Sequence, residues 1–420
     1  MRFRGVIALL MLFGAIGKCT AQADSILVIG KDTIRYKYTP ASNIGIPATD
    51  SSTPTRASQR MKSGFLRKVF NYFEEAAIDK SFEKSMDATF IIAPYYTSST
   101  SLTFAAMVAG LYRIDRSDRT LPPSTVNLIA HTSIKGFYKF GVDGTCIFKG
   151  NRHRLLYDVN FSSQPTYLWG FGYSGGMSDN PIKYISNNQT VNATYLYRLF
   201  KHTYIGTKVD FNWTYCSKKY RANLVERLGG LKSHDSATGL GIIAEYDTRD
   251  FIPNPSRGVY ISLEGTFRPK ALGSIDHDSW RASITVDYYQ KLWRDAILAV
   301  DLYGVWNSRH TPWVLFAQMD GRYRMRGYYE GRFSDYNLVT AQVELRQRVW
   351  QRLGVVVWGG AGNVFSSFDC FRWSETMPNY GLGLRWEFKQ RVNIRLDYGF
   401  GGKANGRLIN GFLISINEAF

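Results

Sequence analysis

The sequence predicts an all-β fold: a sixteen-stranded antiparallel transmembrane β-barrel behind a short N-terminal linker and helix. Three observations carry that reading. Hydrophobic residues reach 45% of the 420 positions while the mean hydropathy is −0.23, so apolar residues are interleaved with polar ones rather than gathered into spans. Beyond the N-terminus there is no apolar run of roughly 18 residues, so any membrane crossing must be made by strands. From Ala88 to Phe420 apolar positions recur with period two. The 38 Gly and 13 Pro, beside 10 Trp, 27 Tyr and 26 Phe, exclude collagen, coiled coil and wholesale disorder.

At the N-terminus, Arg2 and Arg4, the apolar run Val6 to Ile16 and the small-residue site Ala21-Gln22-Ala23 read as a signal peptide over 1–23. The mature chain is then expected to start at Asp24. Lys18 stands where a lipoprotein site at Cys19 would want a small residue. Loss of Arg2, Arg4 and Lys18 lowers the formal charge from +18 to +15 and leaves Cys146, Cys216 and Cys370, too few for a disulfide framework. Residues 24–61 read as a periplasmic linker, with a short strand within Ser25 to Tyr38 and a Ser/Thr/Pro-rich stretch from Thr39 to Ser58. Residues 62–87 read as an amphipathic helix. Its apolar face is Phe65, Val69, Phe73, Ala76 and Ala77, and Lys62, Arg67 and Lys68 lie near its start. Such a helix can pack on a barrel mouth, lie on a membrane or plug a lumen.

The barrel is expected over 88–420. Val259, Ile261, Leu263 and Phe267 alternate with Tyr260, Ser262, Glu264 and Thr266, and Val339, Ala341, Val343 and Leu345 alternate with Thr340, Gln342, Glu344 and Arg346. One apolar and one charged face, repeated strand after strand, fit lipid outside and a polar lumen inside. Sixteen strands are expected, centred near residues 92, 107, 128, 143, 158, 191, 210, 244, 263, 286, 302, 344, 358, 384, 396 and 415. Turn signals such as Gly401-Gly402 and Asn405-Gly406 separate them. Two connections, Gln164 to Lys183 and Asn307 to Asn337, are long enough to suggest function.

The basic residues are spread along the chain, which argues against nucleic acid and for anionic partners such as lipid headgroups at the rim or acidic lumen residues. The six histidines, His131, His153, His202, His234, His277 and His310, form no ligand motif, so no metal, cofactor or catalytic site is expected. The sequons at Asn188, Asn192 and Asn212 read as chance occurrences.

Three motifs carry a resemblance. Met325-Arg326-Gly327-Tyr328 lies in the second long connection, Gly241 to Tyr260 reads GIIAEYDTRDFIPNPSRGVY, and the C-terminal strand alternates Phe412, Ile414 and Ile416 before Phe420. The set resembles the barrel of the BamA/TamA superfamily, the bacterial surface antigen family. The resemblance implies that Arg326, Gly327 and Tyr328 are the tip of an extracellular loop folded into the lumen. It implies that Asp247, Arg249, Asp250 and Gly258 mark the family hairpin. In the family the arginine meets an acidic residue of an F-x-D-x-G strand, but here Gly360 stands at the acidic position and Trp358 at the aromatic one. The usual salt bridge is therefore expected to be missing, with Glu344, Glu387 or Asp397 as substitutes and Trp358 as a cation–π face. Phe412, Ile414, Ile416 and Phe420 resemble the signal by which such barrels are recognised for assembly. Pro94 removes a ladder donor from the first strand, making the seam between first and last strands a candidate lateral gate.

The segment 24–87 is expected to be too small for the family's periplasmic POTRA modules, and resembles a POTRA-less branch from Bacteroidota. The resemblance implies an outer-membrane protein that is not an enzyme and assists insertion or export of protein or lipid. A passive or structural barrel is the alternative; a phospholipase would need a Ser/His motif that is not evident. Expected partners are outer-membrane lipid, an unknown client and a separate periplasmic protein in place of the POTRA modules.

Overall fold

The computed structural model describes residues 26–28 and 81–420, apart from 98–100, 119–120, 122, 218–223, 225, 227, 229–230, 251–253, 351, 390–391 and 417. The expected signal peptide, and the linker and helix up to residue 80 apart from 26–28, lie outside the described residues. Residues 81–86 form turns and bends rather than the end of a helix.

Sixteen long strands follow: β1 Asp87–Thr97, β2 Ser101–Tyr112, β3 Ser124–Ser133, β4 Tyr138–Ile147, β5 His153–Leu168, β6 Ile182–Phe200, β7 Thr203–Cys216 and β8 His234–Asp247. The second half is β9 Gly258–Arg268, β10 Ser279–Lys291, β11 Ala296–Asn307, β12 Asn337–Trp350, β13 Leu353–Phe365, β14 Met377–Lys389, β15 Val392–Ala404 and β16 Arg407–Ile416. Each pairs antiparallel with the next, and each expected centre falls within a strand. No helix among the described residues is long and apolar enough to cross a membrane.

The burial pattern is inverted relative to a water-soluble sandwich. Ile92, Val357 and Leu382 are 67%, 52% and 58% exposed, while Glu344 and Arg395 are fully buried. Thr340, Gln342, Glu344 and Arg346 point inward on β12, whereas Ala341 and Val343 face out. Only a hydrocarbon surround makes that arrangement favourable, because an apolar belt of this extent would aggregate in water.

Two differences from the sequence reading concern the connections. β5 and β6 run on past the expected strand ends, with Gln164 opposite Ser186 and Leu168 opposite Ile182, so the first long connection is 169–181 rather than Gln164 to Lys183. Polar and aromatic residues on both faces hid the alternation there. This connection holds a six-residue helix, α1, over Gly172–Met177.

The second difference is the seam. The first and last strands were expected to close the barrel by pairing, but among the described residues no residue-to-residue register joins β1 to β16. Instead Ile26–Val28 lie parallel to β16, Ile26 opposite Leu413 and Val28 opposite Ser415.

Candidate functional site

The connection 308–336 between β11 and β12 folds inward. Its two limbs are tied by a short ladder, Ala317–Gln318 against Ser334–Asp335. Met319, Met325, Tyr328 and Phe333 then pack with Val305, Leu338 and Val364 of the wall. Burial of Met325 and Phe333, both 0% exposed, stabilises the inward fold by roughly 1.5–3 kcal/mol each.

That packing delivers Arg326, also 0% exposed, to the wall. Its Nη1 donates to Asp397 Oδ2 at 3.0 Å and its Nη2 to Glu344 Oε2 at 2.6 Å, with Gln342 Oε1 at 3.4 Å. The guanidinium carbon lies 3.6 Å from the Trp358 ring centroid. Trp358 Nε1 donates to Asn379, and Asn379 Nδ2 in turn donates to the Arg326 carbonyl. A charge this deep persists only because two carboxylates and an aromatic face replace water. Next in the tip, Gly327 has φ +101°, a conformation that disfavours a side chain. Tyr328 completes it by donating to Pro378 O at 2.7 Å and accepting from the Gly402 N–H at 2.7 Å.

Two of the three proposed substitutes therefore meet Arg326, and Trp358 stacks on it. Glu387 does not; it pairs with Arg348 at 3.2 Å near the other end of the strands. Gly360 has no room for the family's acid, since a Cβ there would stand 2.5 Å from the Ala341 carbonyl and 2.7 Å from Gln342 Cβ. The negative charge that meets Arg326 comes from β12 and β15.

From these carboxylates an ion-pair chain runs toward the end of the sequence. Arg346 Nε donates to Glu344 at 2.7 Å, Arg385 bridges Asp397 and Glu418, and Asn393 Nδ2 donates to Glu418 at 2.6 Å. Arg324 adds a second lumen pair with Asp301 at 3.0 Å. Sequence reasoning did not identify Asn379, Arg346, Arg385, Asp301 or Glu418 as partners in this network, because polar residues recur on the inner face of strand after strand and nothing local distinguishes a partner from a neighbour.

The C-terminal strand corrects another expectation. Phe412 and Ile414 are partly exposed on the outer side, but Phe420 does not continue that row. Arg346 Nη2 donates to its carbonyl at 2.9 Å, and its ring lies 6.3 Å from buried Tyr289. The inward pull of Arg385 and Arg346 on Glu418 and Phe420 turns the chain off the wall. Ile416 remains in register opposite Ile394, and Pro94 sits in β1 opposite Phe104.

Side chains of the hairpin motif bond to one another. Arg249 forks onto Asp247 with contacts of 3.1 and 3.3 Å and lies 4.0 Å from the Tyr260 ring centroid. Asp250 accepts from the Ser256 N–H at 2.9 Å and hydroxyl at 2.6 Å, and Gly258, at φ +117°, lets the backbone pass Thr248. Among the described residues no group of three or more His, Cys, Asp or Glu is placed to hold a metal.

Strands, inverted burial and an inward loop define an outer-membrane β-barrel. Residues 145–420 match the Omp85 superfamily domain, and the chain belongs to that superfamily of bacterial outer-membrane proteins involved in insertion or export. BamA from Haemophilus ducreyi lacking POTRA domains 1–3 is similar in structure, with a TM-score of 0.51 at 11% identity over 77% of this chain and 69% of that one. CdiB from Acinetobacter baumannii gives 0.50 at 13% identity over 77% of this chain and 58% of that one. These likenesses bear on the fold. No curated protein matches the sequence.

Proposed function

We propose that this barrel assists insertion or export of a protein or lipid through the seam beside β16, and that it does so without catalysing a chemical step. One observation carries the reading: among the described residues the ladder that runs from β1 to β16 has no register between β16 and β1, and Ile26–Val28 pair parallel along β16 instead. An interrupted ladder is the cheapest place to part a barrel, since each absent backbone bond lowers the resistance by about 1 kcal/mol. The inward loop speaks against a passive pore, because its ion pairs and apolar cluster fix it on the inner wall, in the way of a solute.

The test is a reversible lock. In a background with Cys146, Cys216 and Cys370 replaced by Ser, Ile92→Cys and Phe412→Cys are joined by a thiol cross-linker in living cells. Outer-membrane integrity should fail as in a deletion strain while the folded barrel persists on heat-modifiability gels, and reduction of a cleavable linker should restore it. Locked cells that grow and exclude detergent like wild type would discard lateral opening and favour a structural barrel.

A further inference from the structure

A cavity of about 590 Å³ lies between the inward loop 308–336, the β5–β6 connection with the end of β5, and the last strand. Its size suits a ligand of two or three rings. One wall is aromatic: Trp169 lies 5.1 Å from Tyr329, and Tyr167 stands 5.7 Å from each, centroid to centroid. Arg332 stacks 5.4 Å from the Trp169 ring centroid and spends its Nε on the Gly176 carbonyl at 2.8 Å. No carboxylate among the described residues comes within ion-pairing distance of it, and burial lowers its pKa, an effect that Asp179 and Tyr328 counter only in part. Arg407, exposed at the start of β16, faces the same space without a described carboxylate partner.

Arg332 and Arg407 arrive from different segments beside an aromatic wall, and of the two carboxylates on the lining Glu330 is taken by Arg322 while Asp179 lies beyond ion-pairing distance of Arg332, so the two guanidinium groups make a site for a ring-bearing anion. An acyl chain would leave the cations unpaired, and a bare inorganic anion would leave the aromatic wall unused. Asn410 and Glu330 line the remainder and can exchange hydrogen bonds with hydroxyl groups. Consecutive residues Leu408 to Leu413 line the far side, so the space extends along β16 itself.

We infer that this cavity binds an anionic saccharide, its ring faces on Trp169 and Tyr329 and its phosphate or carboxylate on Arg332 and Arg407. The shared chemistry fits either the sugar headgroup of an outer-leaflet glycolipid or a free oligosaccharide. The inference does not depend on translocation, so binding without insertion, or insertion without binding, would separate the two readings.

The experiment is calorimetric titration of the full-length barrel in phospholipid nanodiscs with trigalacturonate, with maltotriose as neutral control and hexaglutamate as acidic peptide. Trigalacturonate should bind, and Arg332→Gln should weaken it about tenfold or more, the worth of a charge-assisted hydrogen bond. Trp169→Phe should weaken it less than Trp169→Ala, and maltotriose should bind more weakly than trigalacturonate. Nanodiscs containing lipopolysaccharide that lose trigalacturonate binding would assign the site to the glycolipid headgroup; retained binding would assign it to a free saccharide. The inference is overturned by absence of trigalacturonate binding, by equal binding in Arg332→Gln that keeps wild-type heat-modifiability, or by tighter binding of hexaglutamate, which would make this a peptide site.

Discussion

Gly327 and Gly399 meet backbone to backbone. A Cβ on Gly327 would stand 2.5 Å from the Gly399 carbonyl oxygen, and one on Gly399 would strike the carbonyl of Arg326. The loop tip therefore rests on bare main chain of β15, and side chains at either position would lift Arg326 away from Asp397.

Gly399→Ala, which adds one methyl group to a strand position with ordinary backbone angles, should cost about 1–3 kcal/mol of stability by overpacking alone. The midpoint of the heat-modifiable mobility shift should fall accordingly. An unchanged midpoint would mean that the tip does not press on the wall.

Arg326→Ala should be more damaging, about 3–5 kcal/mol, because it leaves buried carboxylates with one counter-charge fewer. Arg326→Lys should recover little, since a single ammonium cannot fork between Glu344 and Asp397 while lying flat on Trp358. Urea unfolding in detergent ranks the three proteins. Ready modification of Arg326→Cys by a bulky external maleimide in an otherwise wild-type barrel would refute the inward fold.

Cys370 offers a topology test that needs no substitution. It is exposed in the turn between β13 and β14, and hydrogen bonds from Ser366 and Ser367 lower its thiol pKa. If the turns at that end face outside the cell, a membrane-impermeant maleimide should label Cys370 on intact cells and spare buried Cys216. Its reactivity should rise with pH and level off at a lower pH than that of an ordinary exposed thiol. Labelling only after lysis would invert the orientation.

Glu418 should hold the inward turn that follows β16. Ala419, 3% exposed, should be unreactive when changed to Cys. Adding Glu418→Gln removes the charge that engages Arg385 and should expose the thiol. Equal reactivity in both backgrounds would leave the tail held by other contacts.

The fold was legible because a two-sided strand writes its period directly into the sequence: Ala341 and Val343 outside, Gln342 and Glu344 inside. Connections were less legible. Gln164-Pro165-Thr166 carries no clean alternation, yet it pairs with Tyr184 to Ser186. Arg326 stood out through its motif, and its partners were narrowed to Glu344, Glu387 and Asp397. Choosing among them required knowing which end of each strand meets the loop tip, and that depends on register and tilt rather than on composition. The turn at Glu418 was hidden for the same reason, since the arginines that draw it inward lie on β12 and β14.

The contacts that seat Arg326 also impose an order on assembly. Glu344, Trp358, Asn379, Asp397 and Gly399 all follow the loop in sequence and lie on four different strands. Until β12 through β15 are in register, the arginine has no complete berth, and its charge favours water. Docking of the tip is thus a late event that reports on the strands behind it, so a chain stalled before β15 should display the loop to proteases that a finished barrel excludes.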